Sequence, residues 1–169
     1  MAKITFVNDK DEVVGAGTKE DAWEKGIPHR IVAIFIFNSR GDLLIQKRSP
    51  NVPTSPNLWD KSAGGHVDEG EDYVNAAKRE RKEELGIHNL KLKEVGKFFL
   101  REIDEKGRMK NRFHMLYKTE YDDQISFDKN DVAEIKWISP DELKKWINKR
   151  PEDFVESSLK QMKVLFGLE

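Results

Sequence analysis

Apolar positions along this chain fall into two rhythms. Ile31–Phe37 is an almost unbroken β-branched and aromatic run, the pattern of a strand buried on both faces. Asn38-Ser39-Arg40-Gly41-Asp42 supplies turn chemistry, and Leu43-Leu44-Ile45 returns as its hairpin partner. Three prolines with Ser, Asn and Thr across residues 49–58 mark an irregular surface loop. Further strands are expected near Leu90–Leu100, Phe113–Tyr121 and Ala133–Ile138, with a turn at Lys106-Gly107. The helical rhythm appears from about Asp72 to Leu85, with Gly86 placed to end it. Ser139-Pro140-Asp141-Glu142 combines a capping serine, a proline at the first helical position and a glutamate at the third, and that helix should stop before Pro151. A last helix, about 151–166, carries Phe154, Val155, Leu159, Met162 and Leu165 on one stripe. Strands and helices mix without strict alternation, which predicts an α+β fold built as a mixed-sheet sandwich.

Composition narrows the setting. At 169 residues the chain suits one domain, 1–169, with a core over about 29–148. It has 36% charged and 37% hydrophobic residues, yet a net charge of only −1, so no overall field exists to hold a polyanion, and an obligate nucleic-acid partner is not expected. Cysteine is absent, which removes disulfides and thiolate metal sites from consideration. The N-terminus lacks a signal-like apolar core, and the longest apolar run is about a third of the ~20 residues a membrane helix needs. A soluble, cytoplasmic protein without membrane association is the expectation. The stripe on the last helix would pack equally well on its own core or a second subunit, leaving monomer and homodimer open.

The stretch that carries chemistry is Gly65-His66-Val67-Asp68-Glu69-Gly70-Glu71, followed by Arg79-Glu80-Arg81-Lys82-Glu83-Glu84-Leu85-Gly86-Ile87. On a helix Glu80, Glu83 and Glu84 lie at i, i+3 and i+4, so three carboxylates share one face and repel each other. A hard divalent cation reverses the sign of that interaction and keeps positions open for water and phosphate oxygens. Such an arrangement serves attack of water on a phosphoanhydride. A glutamate-rich face by itself is more often merely solvated; the fixed spacing to Gly65, Glu71 and Gly86 is what points to a site.

With that spacing the sequence resembles the Nudix hydrolase family. Gly65, Glu71, Arg79, Glu80, Glu83, Glu84, Gly86 and Ile87 match eight of the nine defined signature positions over 23 residues. The departure is Arg81, where the pattern has an apolar residue, on the stripe of Val74, Ala77 and Leu85 that should pack on the sheet. Its stem is expected to pack and its head to reach an acidic partner or solvent. The resemblance implies an α/β/α sandwich with a mixed sheet and a signature loop-helix. It also implies Mg2+, with Mn2+ as the alternative, held by Glu80 and Glu84, by Glu83 as ligand or water-positioning residue, and by the carbonyl of Gly64. Arg79 would hold the glutamates, together with Glu71. The general base is left among Glu80, Glu83 and Glu134, the last just before the strand carrying Trp137. The substrate implied is a small molecule with a diphosphate linkage, such as a nucleoside diphosphate derivative.

The flanks, Pro28-His29-Arg30, Leu44 to Ser49 and Leu58 to Val67, resemble the branch related to isopentenyl-diphosphate isomerase. That isomerase is the rival reading, and a non-catalytic ligand-binding module is a third. Isomerases of this type use a catalytic cysteine and several metal-binding histidines; here there is no cysteine, and only His29 and His66 stand in comparable places. Substrate contacts are expected from Lys47 and Arg48, of which alternation lets one face the site, from Trp59 as a stacking ring, and from His66. For each there is a plain alternative: solvated strand-end charges, a buried loop anchor, and a histidine bonded to a backbone carbonyl.

Overall fold

The computed structural model describes residues 2–88 and 91–168. Its elements in chain order are β1 (Ile4–Val7), β2 (Val13–Gly17), α1 (Lys19–Lys25), β3 (His29–Phe37), β4 (Leu43–Arg48), β5 (Trp59–Asp60), β6 (Ala63–His66), α2 (Tyr73–Leu85), β7 (Lys93–Ile103), β8 (Met109–Glu120), β9 (Val132–Ile138), α3 (Pro140–Lys149) and α4 (Glu156–Leu165). The apolar run around which everything else is arranged is β3. It pairs in parallel with β8 along its whole length, from His29 opposite Arg112 to Phe37 opposite Glu120, and antiparallel with β6 and β1. β7 continues the sheet antiparallel to β8.

Alternation along β3 feeds two cores. Val32, Ile34 and Ile36 pack with Leu44, Ala76, Ala77 and Leu85 on the side of α2. Ala33 and Phe35 pack with Leu43, Ile45, Leu143, Phe154 and Met162 on the side of α3 and α4. This is an α/β/α sandwich with a mixed sheet. Of the stripe on the last segment, Phe154 and Met162 are buried in this second core, and Leu159 and Leu165 pack against it partly buried.

The Asn38–Asp42 turn forms, with Gly41 at φ 84°, but β3 and β4 pair only at Phe37 and Leu43. Beyond that point β4 leaves its expected partner and pairs with β9 from Leu43 to Arg48, and with β5. The strand expected at Leu90–Leu100 begins at Lys93 and runs on to Ile103; Leu90 lies outside the described residues. The last helix is interrupted: Pro151–Asp153 forms a 3-10 turn, Phe154 is extended and bridges to Trp59, and α4 starts at Glu156. Phe154 and Val155 therefore belong to the segment before the helix. Residues 1–28, for which the hydrophobic pattern predicted no element, contribute β1, β2 and α1.

α2 has the predicted ends: Asp72 accepts the Asn75 N–H at 2.8 Å, and Gly86 takes a left-handed φ of 65°. Ala77, Arg81 and Leu85 are buried, whereas Val74 is 37% exposed and off the expected stripe. Arg81 is 5% exposed, and burial lowers its pKa. Among the described residues no helix is long and apolar enough to cross a membrane.

Candidate active site

Helix α2 presents its glutamates to the loop formed by β6. Glu84 Oε1 accepts the Gly64 N–H at 3.1 Å, and Glu84 Oε2 accepts from Gln46 Nε2 at 2.7 Å. Gln46 is itself anchored on the carbonyl of Ser62 at 3.0 Å. Glu80 lies so close to the loop that a Cβ on Gly65 would sit 2.3 Å from its Oε1. Any larger residue would have to displace the Glu80 carboxylate from the loop, a physical reason for glycine at the signature position. Gly64 is equally confined, because a Cβ would meet the Val32 carbonyl oxygen at 2.4 Å.

Arg79 ties the group together. Its Nε and Nη2 donate to the two oxygens of Glu71 at 2.7 and 3.0 Å, and its Nη1 donates to Glu80 Oε1 at 2.8 Å and Glu83 Oε2 at 3.3 Å. Nη2 also reaches the carbonyl of His66 at 3.0 Å. One guanidinium fork thus joins helix and loop, which a lysine ammonium has too few directed donors to do. Glu83 is 59% exposed and faces solvent.

Two carboxylates held this near one another under partial burial resist ionising together. Burial, then the charge of Glu84, pushes the pKa of Glu80 up, against the pull of Arg79. Glu84 is also raised, by burial first, although the bonds from Gln46 and Gly64 and the charge of Lys61 act the other way. Oxygen donors with surplus negative charge fit a hard divalent ion. Among the described residues no three acidic or histidine side chains converge tightly enough to hold a metal alone. The carbonyl of Gly64, water and substrate oxygens would have to complete the shell.

The site opens into a cavity of about 990 Å³, lined by Glu80, Glu83, Glu84, Gly64 and His66, and on its far side by residues of α1, β8 and α4. Arg48 lines it too, held by the Thr54 carbonyl at 3.0 Å and by Asp60 at 3.4 Å. Three expected contacts lie elsewhere. Lys47 follows Gln46 by one residue and so takes the opposite face of β4, its Nζ 5.9 Å above the Trp59 ring. Glu134 stands directly opposite Lys47 in the β4–β9 ladder, on that same far face, so the structure does not bring it to the glutamates. Trp59 is 8% exposed, packed edge-on against Trp146 at 5.5 Å, and bonds Val155 N–H through its carbonyl; it is a buried anchor and lines no part of the cavity. His66 does line the cavity, stacked on His29 at 5.5 Å.

The sequence pattern missed Gln46, Asp60 and Lys61. Asp60 is buried among Lys61 Nζ at 3.1 Å, Arg48 and the hydroxyl of Ser158, which donates to it in a short hydrogen bond. Burial alone would raise Asp60, but Lys61, Ser158 and Arg48 together lower it. Nothing in local spacing signals these partners, which are up to 98 positions apart.

The NUDIX domain family model matches residues 27–157, which include the loop, the helix and most of the cavity. The chain belongs to the Nudix family. An uncharacterized Nudix hydrolase of Pseudomonas aeruginosa is 34% identical over 139 residues, 82% of this chain and 79% of that one. An isopentenyl-diphosphate Delta-isomerase 2 of Photorhabdus laumondii is 30% identical over 149 residues, 88% of this chain and 84% of its own length. Among solved structures, DR0079 of Deinococcus radiodurans superposes with a TM-score of 0.71 at 31% identity, covering 87% of this chain and 89% of that one. The Nudix fold and a hydrolase of the Nudix class follow from these likenesses.

Proposed function

We propose that this Nudix protein is a Mg2+-dependent hydrolase, with Mn2+ as the alternative ion, that cleaves the phosphoanhydride bond of a small diphosphate compound. The observation that carries this reading is the pair Glu80 and Glu84, held against the Gly64-Gly65 loop by Arg79, Gln46 and a backbone N–H. Glu80, Glu84 and the Gly64 carbonyl are the groups that would hold the ion, with Glu83 as a further ligand or as the residue that orients water. When bound, the ion supplies neutralisation of phosphate oxygens and a more acidic water. Water oxygen then attacks phosphorus, the bridging P–O bond breaks with its electron pair leaving on the departing phosphate, and a glutamate takes the proton. Glu80 or Glu83 fills that last role, a reading supported by the place of Glu134 opposite Lys47 on the other face of β4. Arg79 acts as a positioning residue.

Relatives that bear the isomerase name favour a second reading, a shift of the double bond in isopentenyl diphosphate. Against it stands the absence of cysteine. Burial first, and the charge of Arg112 as well, lowers the pKa of His29, His66 and His114, with Lys110 adding to the effect on the first two, a poor setting for a cation.

The deciding experiment is product analysis by mass spectrometry with a panel of nucleotide and prenyl diphosphates, with and without Mg2+. Ion-dependent cleavage at the anhydride, lost by at least about a hundredfold in Glu84→Gln with native circular dichroism retained, is the expected result. Unchanged turnover in that variant would sink the metal assignment, and an isomerised prenyl product would install the rival.

A further inference from the structure

The part of the cavity beyond the glutamates is built from three elements. On β8, Lys110, Arg112 and His114 alternate and so share one face. Trp23 comes from α1 and Gln161 from α4, and all five line the same cavity as Glu80 and Glu84. The polar atoms here are in surplus. Trp23 Nε1, Arg112 Nε and His114 Nε2 are buried with no hydrogen-bond partner. Gln161 Nε2 faces His114 Nδ1 at 3.0 Å. Because the amide nitrogen donates, Nδ1 accepts, and the imidazole proton lies on Nε2. The ring is fixed by stacking on Phe98 at 4.9 Å and 6°.

These three orphaned atoms are therefore donors, and Gln161 Oε1 is the single orphaned acceptor among the five residues, so donors outnumber acceptors in the bay. Lys110 adds an ammonium 4.4 Å from the Trp23 ring and takes part in no ion pair among the described residues. The nearby carboxylates are already engaged: Glu102 by Arg112 and Asp104 by Arg108. Orphaned buried donors are rare, because each forfeits its hydration without compensation. Several of them beside an unpaired ammonium suit an oxyanion, and suit neither a metal ion nor an apolar tail.

We infer that this bay binds a phosphate group of the substrate that lies outside the scissile diphosphate, so that the substrate is a diphosphate compound carrying a further phosphomonoester. The inference about substrate class rests on the hydrolase reading above; the anion site itself does not.

The first arm of the test uses inorganic phosphate and no metal. With EDTA present near neutral pH, the indole N–H signal of Trp23, assigned with Trp23→Phe, is followed by NMR during phosphate titration. A saturable shift of Trp23, with Trp59, Trp137 and Trp146 still, is expected. Lys110→Met should raise the midpoint by at least about tenfold and Lys110→Arg should restore it. No shift, or a midpoint indifferent to Lys110→Met in a folded variant, overturns the site. The second arm compares turnover of matched pairs, coenzyme A against its 3′-dephospho form and NADPH against NADH. A kcat/KM at least about tenfold higher for the phosphorylated member, falling towards parity in Lys110→Met, is expected. Equal rates for both members of each pair overturn the substrate class. Phosphate binding without any turnover would leave the site standing and remove the hydrolase; turnover without phosphate binding would do the reverse.

Discussion

Gly65 shows how one hydrogen atom decides the site. A methyl group there would meet Glu80 Oε1 at 2.3 Å, so Gly65→Ala must drive the carboxylate away from the loop or shift the loop itself. Turnover should fall by about a hundredfold or more, while overpacking costs roughly 1–3 kcal/mol of stability. Steady-state kinetics beside a urea melt would separate the two effects; a variant with normal kcat would show that Glu80 need not sit where it does. Arg79→Lys tests the fork in the same way. Lysine keeps the charge but not the directed donors to Glu71, Glu80, Glu83 and the His66 carbonyl, so a loss of about ten- to a hundredfold in kcat is expected with little change in KM.

At the scale of elements, α2 is positioned by its ends as much as by its buried face. Asp72 caps the first turn through the Asn75 N–H, and Asp72→Ala should cost about 1 kcal/mol. Because the cap lies two turns from Glu80, kcat should be nearly untouched; thermal melts and initial rates on the same preparation check both halves of that statement. The glutamate face, the capping aspartate and the terminating Gly86 were all legible in the sequence, since each depends on neighbours within one or two helical turns. The companions of that face were not. Gln46 meets Glu84 across 38 positions, and the departure of β4 from β3 after a single pair is what carries it there. Lys47 and Glu134 fail for the related reason that strand register, not residue type, chooses the face on which a charge appears.

Across the whole molecule, one carboxylate links four elements. Asp11, in the turn between β1 and β2, accepts from Arg30 of β3 at 2.7 Å, from Tyr73 of α2 at 2.8 Å and from Lys97 of β7 at 2.8 Å. Burial would raise its pKa, but the bonds from Lys97, Arg30 and Tyr73 outweigh that and lower it. A carboxyl whose folded value is depressed contributes stability that is complete above the unfolded value, about 3.9, and is lost as pH falls towards the folded one. Melting temperature should therefore drop on acidification below about pH 4, and Asp11→Asn should flatten that part of the profile. Asparagine tolerates the φ of 62° found there, so the comparison isolates the charge. An unaltered profile in the variant would mean that other carboxylates dominate acid unfolding.

Elements whose rules are local could be read from the residues alone: the doubly buried strand β3, the capped helix α2 with three glutamates on one face, the cap at Ser139, and through the signature the family. Tertiary structure alone decided what stands opposite those glutamates. It placed Trp59 in the core, put Glu134 on the far face, and gathered Trp23, Lys110, Arg112, His114 and Gln161 around one cavity. Helix faces and caps are written in spacings of three and four residues, whereas a cavity wall is assembled by strand pairing between distant segments, where a one-residue change of register exchanges a solvated charge for a lining one.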